Sequence, residues 1–104
     1  MAKYLFVYHG GEDPETEAGL AEFLDDFGRW LGSMGSAVID GGNPVGKSTT
    51  INSNGSVTDN GGSNPASGYS LVEAKTVQEA IAHAKACPIL AAGGSVELAE
   101  TIDM

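Results

Sequence analysis

The sequence predicts an α+β domain whose elements run βαβ, an insert, then βαβ. Three observations predict it. Residues 3–9 are almost uniformly β-prone, with aromatic and aliphatic side chains in alternation. Leu20, Phe23, Leu24, Phe27, Trp30, Leu31 and Met34 then recur at three- and four-residue spacing, the period of an amphipathic helix. Further on, Thr76-Val77-Gln78-Glu79 has the form of a capping box, with Thr76 as cap and Glu79 reaching back, so a second helix opens there.

In the first strand Tyr4, Phe6 and Tyr8 share one face and Leu5 and Val7 the other, so both faces are expected to be covered. Gly10-Gly11 turns the chain, and Glu12-Asp13-Pro14-Glu15 supplies the acids and the proline that suit a helix start. The helix ends near Gly35. Its apolar stripe reads as core packing rather than as an aromatic binding box, and Gly28 and Gly32 within it suggest close approach by another element. Residues 37–41 form a second strand. A loop with a hairpin occupies residues 43–66, since Thr49-Thr50-Ile51 and Ser56-Val57-Thr58 flank Asn54-Gly55. Residues 68–74 make the third main strand, the second helix reaches about Lys85, and residues 95–101 alternate as the last strand. The order βαββαβ is the signature of a ferredoxin-like domain with a hairpin-containing insert, two helices lying on one face of an antiparallel sheet. The face opposite the helices then needs a second copy to cover it.

With 104 residues the chain is one domain, 1–104, able to bury roughly two thirds of its unfolded surface. Fourteen acids against five bases give a net charge of −9, and the bases are scattered. Nucleic acid and anionic membrane are therefore not expected partners. The single cysteine, Cys87, excludes an intrachain disulfide and a thiolate metal cluster, and reads as a small, partly buried residue. The opening apolar run is too short for a signal peptide, which makes the cytoplasm the expected compartment.

Residues 41–48, Gly-Gly-Asn-Pro-Val-Gly-Lys-Ser, fit the phosphate-loop pattern at each fixed position. That loop works only where a helix follows the lysine and presents its N-terminus to the phosphates. Here Ser48-Thr49-Thr50-Ile51 and repeated Asn and Gly follow, which favour strand and turn. No nucleotide cofactor is inferred.

With these elements placed, nearly the whole chain resembles the YCII-related proteins, and more closely their DGPF branch. The resemblance rests on the Lys-Tyr-Leu-Phe-Val-Tyr strand and the helix running into Met34-Gly35-Ser36-Ala37-Val38-Ile39-Asp40-Gly41-Gly42. It continues through Ser48-Thr49-Thr50-Ile51, Asn54-Gly55 and Val57-Thr58-Asp59, then Gly68-Tyr69 with Leu71-Val72-Glu73-Ala74, and the closing helix, Pro88, Gly93 and Val96-Glu97-Leu98. The family's Asp-Gly-Pro-Phe signature is broken: Asp59 is kept, but Asn60-Gly61-Gly62 follow it. The resemblance implies a dimeric α+β barrel and, for most members, no established activity. Some YCII-type members carry a helix-borne histidine paired with an aspartate for acid–base work; here Leu24 or Asp25 stands in its place.

Two isolated histidines and dispersed acids give no metal spacing. His9 leaves the first strand beside two glycines, where an acid–base group could face a cleft, and Asp59 from the insert is the candidate to orient it. His83 falls off the apolar stripe of the second helix and reads as solvated; Asp40 could approach Asp59 if the insert folds back. Two function classes follow: a small-molecule binding or acid–base catalytic homodimer, using a pocket between sheet and helices or at the dimer interface with His9 and Asp59 as polar lining, or a non-catalytic dimeric adaptor or sensor. A pocket with convergent polar groups favours the first, and one filled by its own aromatics the second.

Overall fold

A computed structural model of the chain describes residues 1–11 and 15–104. The fold is mixed α+β: β1 (Ala2–His9), α1 (Glu17–Met34), a 3-10 turn (Gly35–Ala37), β2 (Val38–Asp40), β3 (Thr50–Ile51), β4 (Val57–Thr58), β5 (Ala66–Ala74), α2 (Val77–Ala84), α3 (Pro88–Ala91) and β6 (Ser95–Glu100). The main sheet has the order β2-β5-β1-β6, with every neighbouring pair antiparallel. The hairpin β3–β4 stands apart as its own two-stranded sheet.

The helix boundaries follow from local chemistry. Thr16 caps α1, its side chain accepting from the Gly19 amide at 2.9 Å, and Gly35 ends it at φ 57°, a conformation that costs glycine little. The acidic helix start read at residues 12–14 lies outside the described residues. Thr76 caps α2 by accepting from the Glu79 amide at 3.2 Å, while the Glu79 carboxylate accepts from Lys75 N at 3.4 Å. The short α3 was not anticipated, although Pro88 in its first turn and Cys87 in extended backbone before it are the local marks of a helix start.

The core lies between the sheet and the helices. Tyr4, Phe6 and Tyr8 of β1 and Val72 and Ala74 of β5 point into it, against Trp30 and Met34 of α1 and Ala80 and Ala84 of α2. Phe6 is fully buried and stacks on Trp30, ring centres 6.3 Å apart. Truncating Phe6 to alanine would cost about 3–5 kcal/mol, typical of a buried ring removed from a close-packed core. The Trp30 indole donates to the His83 carbonyl at 2.9 Å and so ties the two helices together.

Within one chain only this face of β1 is covered. The register places Leu5 between Leu71 and Ala99, and Val7 between Tyr69 and Glu97, on the opposite face. Leu5 and Tyr69 remain exposed there, with Val7 and Leu71 half-buried.

Candidate functional site

The site is built where the regular sheet breaks down. Tyr8 pairs with Gly68 but His9 pairs with Ala66, so Ser67 is an extra residue, the bulge of β5. Past Asp40 the chain continues along the same sheet edge. Val45 N donates to the Ser67 carbonyl at 3.0 Å, Tyr69 N donates to the Asn43 carbonyl at 3.3 Å, and Pro44 bridges Gly68. Gly42 makes this possible: at φ 72°, a Cβ on it would lie 1.6 Å from the Tyr69 carbonyl oxygen. Residues 41–45, the first part of the phosphate-loop pattern, are thus an edge segment. No helix follows Lys47; the next element is β3.

This edge stands off from α1 and leaves a cavity of about 590 Å³. Leu20, Phe23, Leu24, Phe27, Gly28 and Leu31 form its helical wall, Gly41–Val45 the edge wall, and Tyr8, Gly10, Gly11, Ser67 and Gly68 the strand ends, with Ile89 and Ala92 closing one side. The volume falls within the range of small-molecule sites, and the predominance of apolar lining is also characteristic. Nothing lies within 4 Å of a Cβ built on Gly28, so this glycine is a notch in the helix open to the cavity. The expectation that Gly28 and Gly32 admit a closely packed element is corrected: neither has a neighbour that near.

The polar side chains among the described lining residues are Tyr8, Asn43, Ser67 and Tyr69, and Asn43 Nδ2 donates to the Tyr69 hydroxyl at 3.4 Å on the exposed rim. The Tyr8 hydroxyl donates to Ser70 Oγ at 2.7 Å, and Ser70 Oγ donates to the Gly41 carbonyl at 2.7 Å, a relay across the sheet that fixes the Tyr8 ring. Burial raises the Tyr8 pKa well above the ordinary phenol value, so the ring stays neutral. Its face meets Phe27 edge-on at 5.0 Å. Ser67 Oγ is buried and makes no hydrogen bond among the described residues. Ser67 also borders a second hollow of about 340 Å³, lined by Lys47, Ser48, Gly61 and Pro65 among others, and so touches both.

His9 is 8% exposed, on the sheet face opposite the helices, and both ring nitrogens face acceptors. Nε2 lies 2.9 Å from Glu97 Oε1; Nδ1 lies 3.0 Å from the Asn64 carbonyl oxygen and 3.3 Å from that of Pro65. Only the imidazolium can donate from both nitrogens. The hydrogen bond to Glu97, opposed by partial burial and helped by the two carbonyls, raises the His9 pKa above its ordinary value. His9 lines neither cavity. It fastens the end of the insert to β6.

The structure does not bring Asp59 into this cluster. Its carboxylate is exposed and pairs with Lys47 at 3.3 Å. Asp40 accepts from the Gly42 amide at 2.8 Å, a turn role. His83 is partly exposed, 3.9 Å from Glu79. Cys87 is buried, and burial pushes its thiol up to about 11, which keeps it protonated and unreactive at neutral pH. Among the described residues no three His, Cys, Asp or Glu side chains group to hold a metal ion, and no helix is long and apolar enough to cross a membrane.

No family model matches this sequence, and no curated protein shows significant similarity to it.

A pocket between sheet and helices is one of the two places the sequence allows for a ligand, but its lining differs from the expected His9 and Asp59. The α1 stripe, expected as core throughout, divides: Trp30 and Met34 are buried, whereas Leu20 and Leu24 are 46% and 52% exposed and border the cavity. Gly28 was the available signal. A glycine on the apolar side of a helix weakens it and removes volume where a packed core would demand some.

Proposed function

We propose that this chain is a small-molecule binding protein of the YCII-related type, DGPF branch, with a ferredoxin-like βαββαβ domain that pairs sheet to sheet into a dimeric α+β barrel in the cytoplasm. The observation that carries the binding role is the roughly 590 Å³ cavity beneath α1. An adaptor without a ligand would be expected to fill that space with its own aromatics; Phe23 and Phe27 border it instead. The strand order β2-β5-β1-β6, with the two longer helices in one layer, supports the domain type. The apolar centre around Leu5, Val7 and Leu71 supports the pairing.

Binding is favoured over acid–base catalysis by the placement of His9. Both of its nitrogens are engaged and the ring borders neither cavity, so it stabilises the insert rather than facing a reacting atom. The test is a thermal-shift screen of uncharged small molecules on the wild-type chain and on Gly28→Trp, which places an indole in the notch. Ligands that raise the melting temperature of the wild type and leave Gly28→Trp unmoved support the reading. Hits that stabilise both equally place binding elsewhere and overturn it.

A further inference from the structure

Resting on that binding reading, we infer that the cavity selects an uncharged, largely apolar, ring-containing molecule bearing one hydrogen-bonding oxygen, and that Ser67 Oγ is the group that recognises the oxygen. The class of ligand follows from what the walls contain and what they lack.

Among the described residues, none of the nineteen that line the cavity is charged. Within this lining an ionised ligand group would lose water without gaining a counter-charge, at a cost no apolar contact offsets. An anion would also approach a chain of net charge −9. The walls suit a flat ring system: Phe27 and Phe23 stand together, ring centres 5.8 Å apart, with the Tyr8 ring edge-on to Phe27 at 5.0 Å. Aromatic groups of this kind favour offset or edge contacts with another ring. The Gly28 notch widens the helical wall beside Phe27 without adding a polar side chain.

The polar requirement comes from the strand-end wall. The Tyr8 hydroxyl and Ser70 Oγ satisfy each other and Gly41, so neither has its proton free for a ligand, while Asn43 and the Tyr69 hydroxyl pair with each other at the exposed rim, where water serves them. Ser67 differs, because it sits in the bulge, borders both hollows, and has a buried Oγ for which the described residues supply no partner, so it reaches a ligand in the cavity by turning about χ1. A buried hydroxyl without a partner is uncommon and costly, and a single χ1 torsion sets where it points. A carbonyl or hydroxyl oxygen on the ligand gives it the missing bond. A hydrocarbon of the same shape leaves it unpaired, and that difference is the origin of the selectivity.

The experiment uses prodan, an uncharged naphthyl ketone whose emission reports local polarity, displaced by three competitors of matched size: acetylnaphthalene, ethylnaphthalene and naphthoate. Wild type, Ser67→Ala, Ser67→Thr and Gly28→Trp are compared, with circular dichroism to establish that each is folded. In the wild type the ketone should displace prodan at roughly three- to ten-fold lower concentration than the hydrocarbon, as one added hydrogen bond provides. Ser67→Ala should erase that gap and Ser67→Thr, which keeps the hydroxyl, should preserve it. Naphthoate should be weaker than the ketone by about ten-fold or more. Equal displacement by ketone and hydrocarbon, or a gap that survives Ser67→Ala, overturns the role of Ser67 while leaving the binding site standing. Naphthoate binding as well as the ketone overturns the requirement for an uncharged ligand. Prodan binding that is absent in the wild type, or unaffected by Gly28→Trp, overturns the binding reading and this inference with it.

Discussion

His9 Nε2 stands 2.9 Å from Glu97 Oε1 while its Nδ1 faces the Asn64 carbonyl at 3.0 Å, so one imidazole joins the β6 edge of the sheet to the end of the insert. The residues at and after that attachment line the two hollows, Pro65, Ala66 and Ser67 the smaller and Ser67 and Gly68 the larger. A charge-dependent fastening and the wall of the cavity are therefore neighbours in sequence and in space.

The pH dependence follows. The His9 pKa is raised in the folded chain, chiefly by its hydrogen bond to Glu97, above the ordinary 6.5. A group of this kind binds its proton more tightly when folded, so its stabilisation is complete below the unfolded value and is lost as pH climbs through the folded one. Melting temperature should therefore fall as pH rises above the ordinary histidine value of 6.5 in the wild type. The fall should be smaller in His9→Ala, and a parallel decline in both proteins would contradict the clamp.

Gly28→Ala should raise stability by roughly 0.5–1 kcal/mol, because the methyl meets open space and the helix loses a flexible link. For a domain this size that is several degrees in a thermal melt. Gly28→Trp should fill the cavity while the far-ultraviolet spectrum stays unchanged. A destabilised Gly28→Ala would mean that another group occupies the notch.

The uncovered sheet face predicts a dimer whose contact includes Leu5. Sedimentation at about 50 μM should give twice the chain mass for the wild type and the monomer mass for Leu5→Glu, a typical outcome when a charge enters an apolar interface. Leu5 is already 39% exposed in the single chain, so the substitution should leave the fold intact. A wild type that stays monomeric at this concentration would refute the sheet-to-sheet pairing.

Lys47→Ala should change stability by less than about 0.5 kcal/mol, since its pair with Asp59 is exposed on both sides. Isothermal titration with magnesium–nucleotide should give no specific heat for either protein, because the segment after Lys47 leads into β3 rather than a helix. Micromolar binding abolished by the substitution would require the segment to refold around phosphate.

The fold was legible where one interaction dominates. Thr76 reaching the Glu79 amide, Asn54-Gly55 between two short strands, and the alternation of Tyr4, Phe6 and Tyr8 are local rules acting alone, and each produced the expected element. A pocket between sheet and helices was among the sequence's expectations, but its lining was not legible, because that depends on a register fault and on empty volume. Nothing in Ala66-Ser67-Gly68 announces that Ser67 will have no cross-strand partner; that follows only once β1 and β5 are aligned. Asp59 was read towards His9, but Lys47 stands closer to it in the folded insert, while Glu97, 88 positions from His9 in the chain, arrives through β6 pairing.

The insert is held at its two roots, by Asn43 and Val45 on β5 and by Asn64 and Pro65 on His9, while the β3–β4 hairpin pairs only with itself in the sheet topology. The turn at Asn52–Ser56 is closed by its own hydrogen bonds and by Gly55 at φ 86°. The hairpin therefore behaves as a graft on a fixed stem. Its tip can be lengthened, shortened or exchanged for a reporter sequence without resetting the strand alignment beneath it, whereas a single-residue deletion at Ser67 would shift the phase of everything the stem supports.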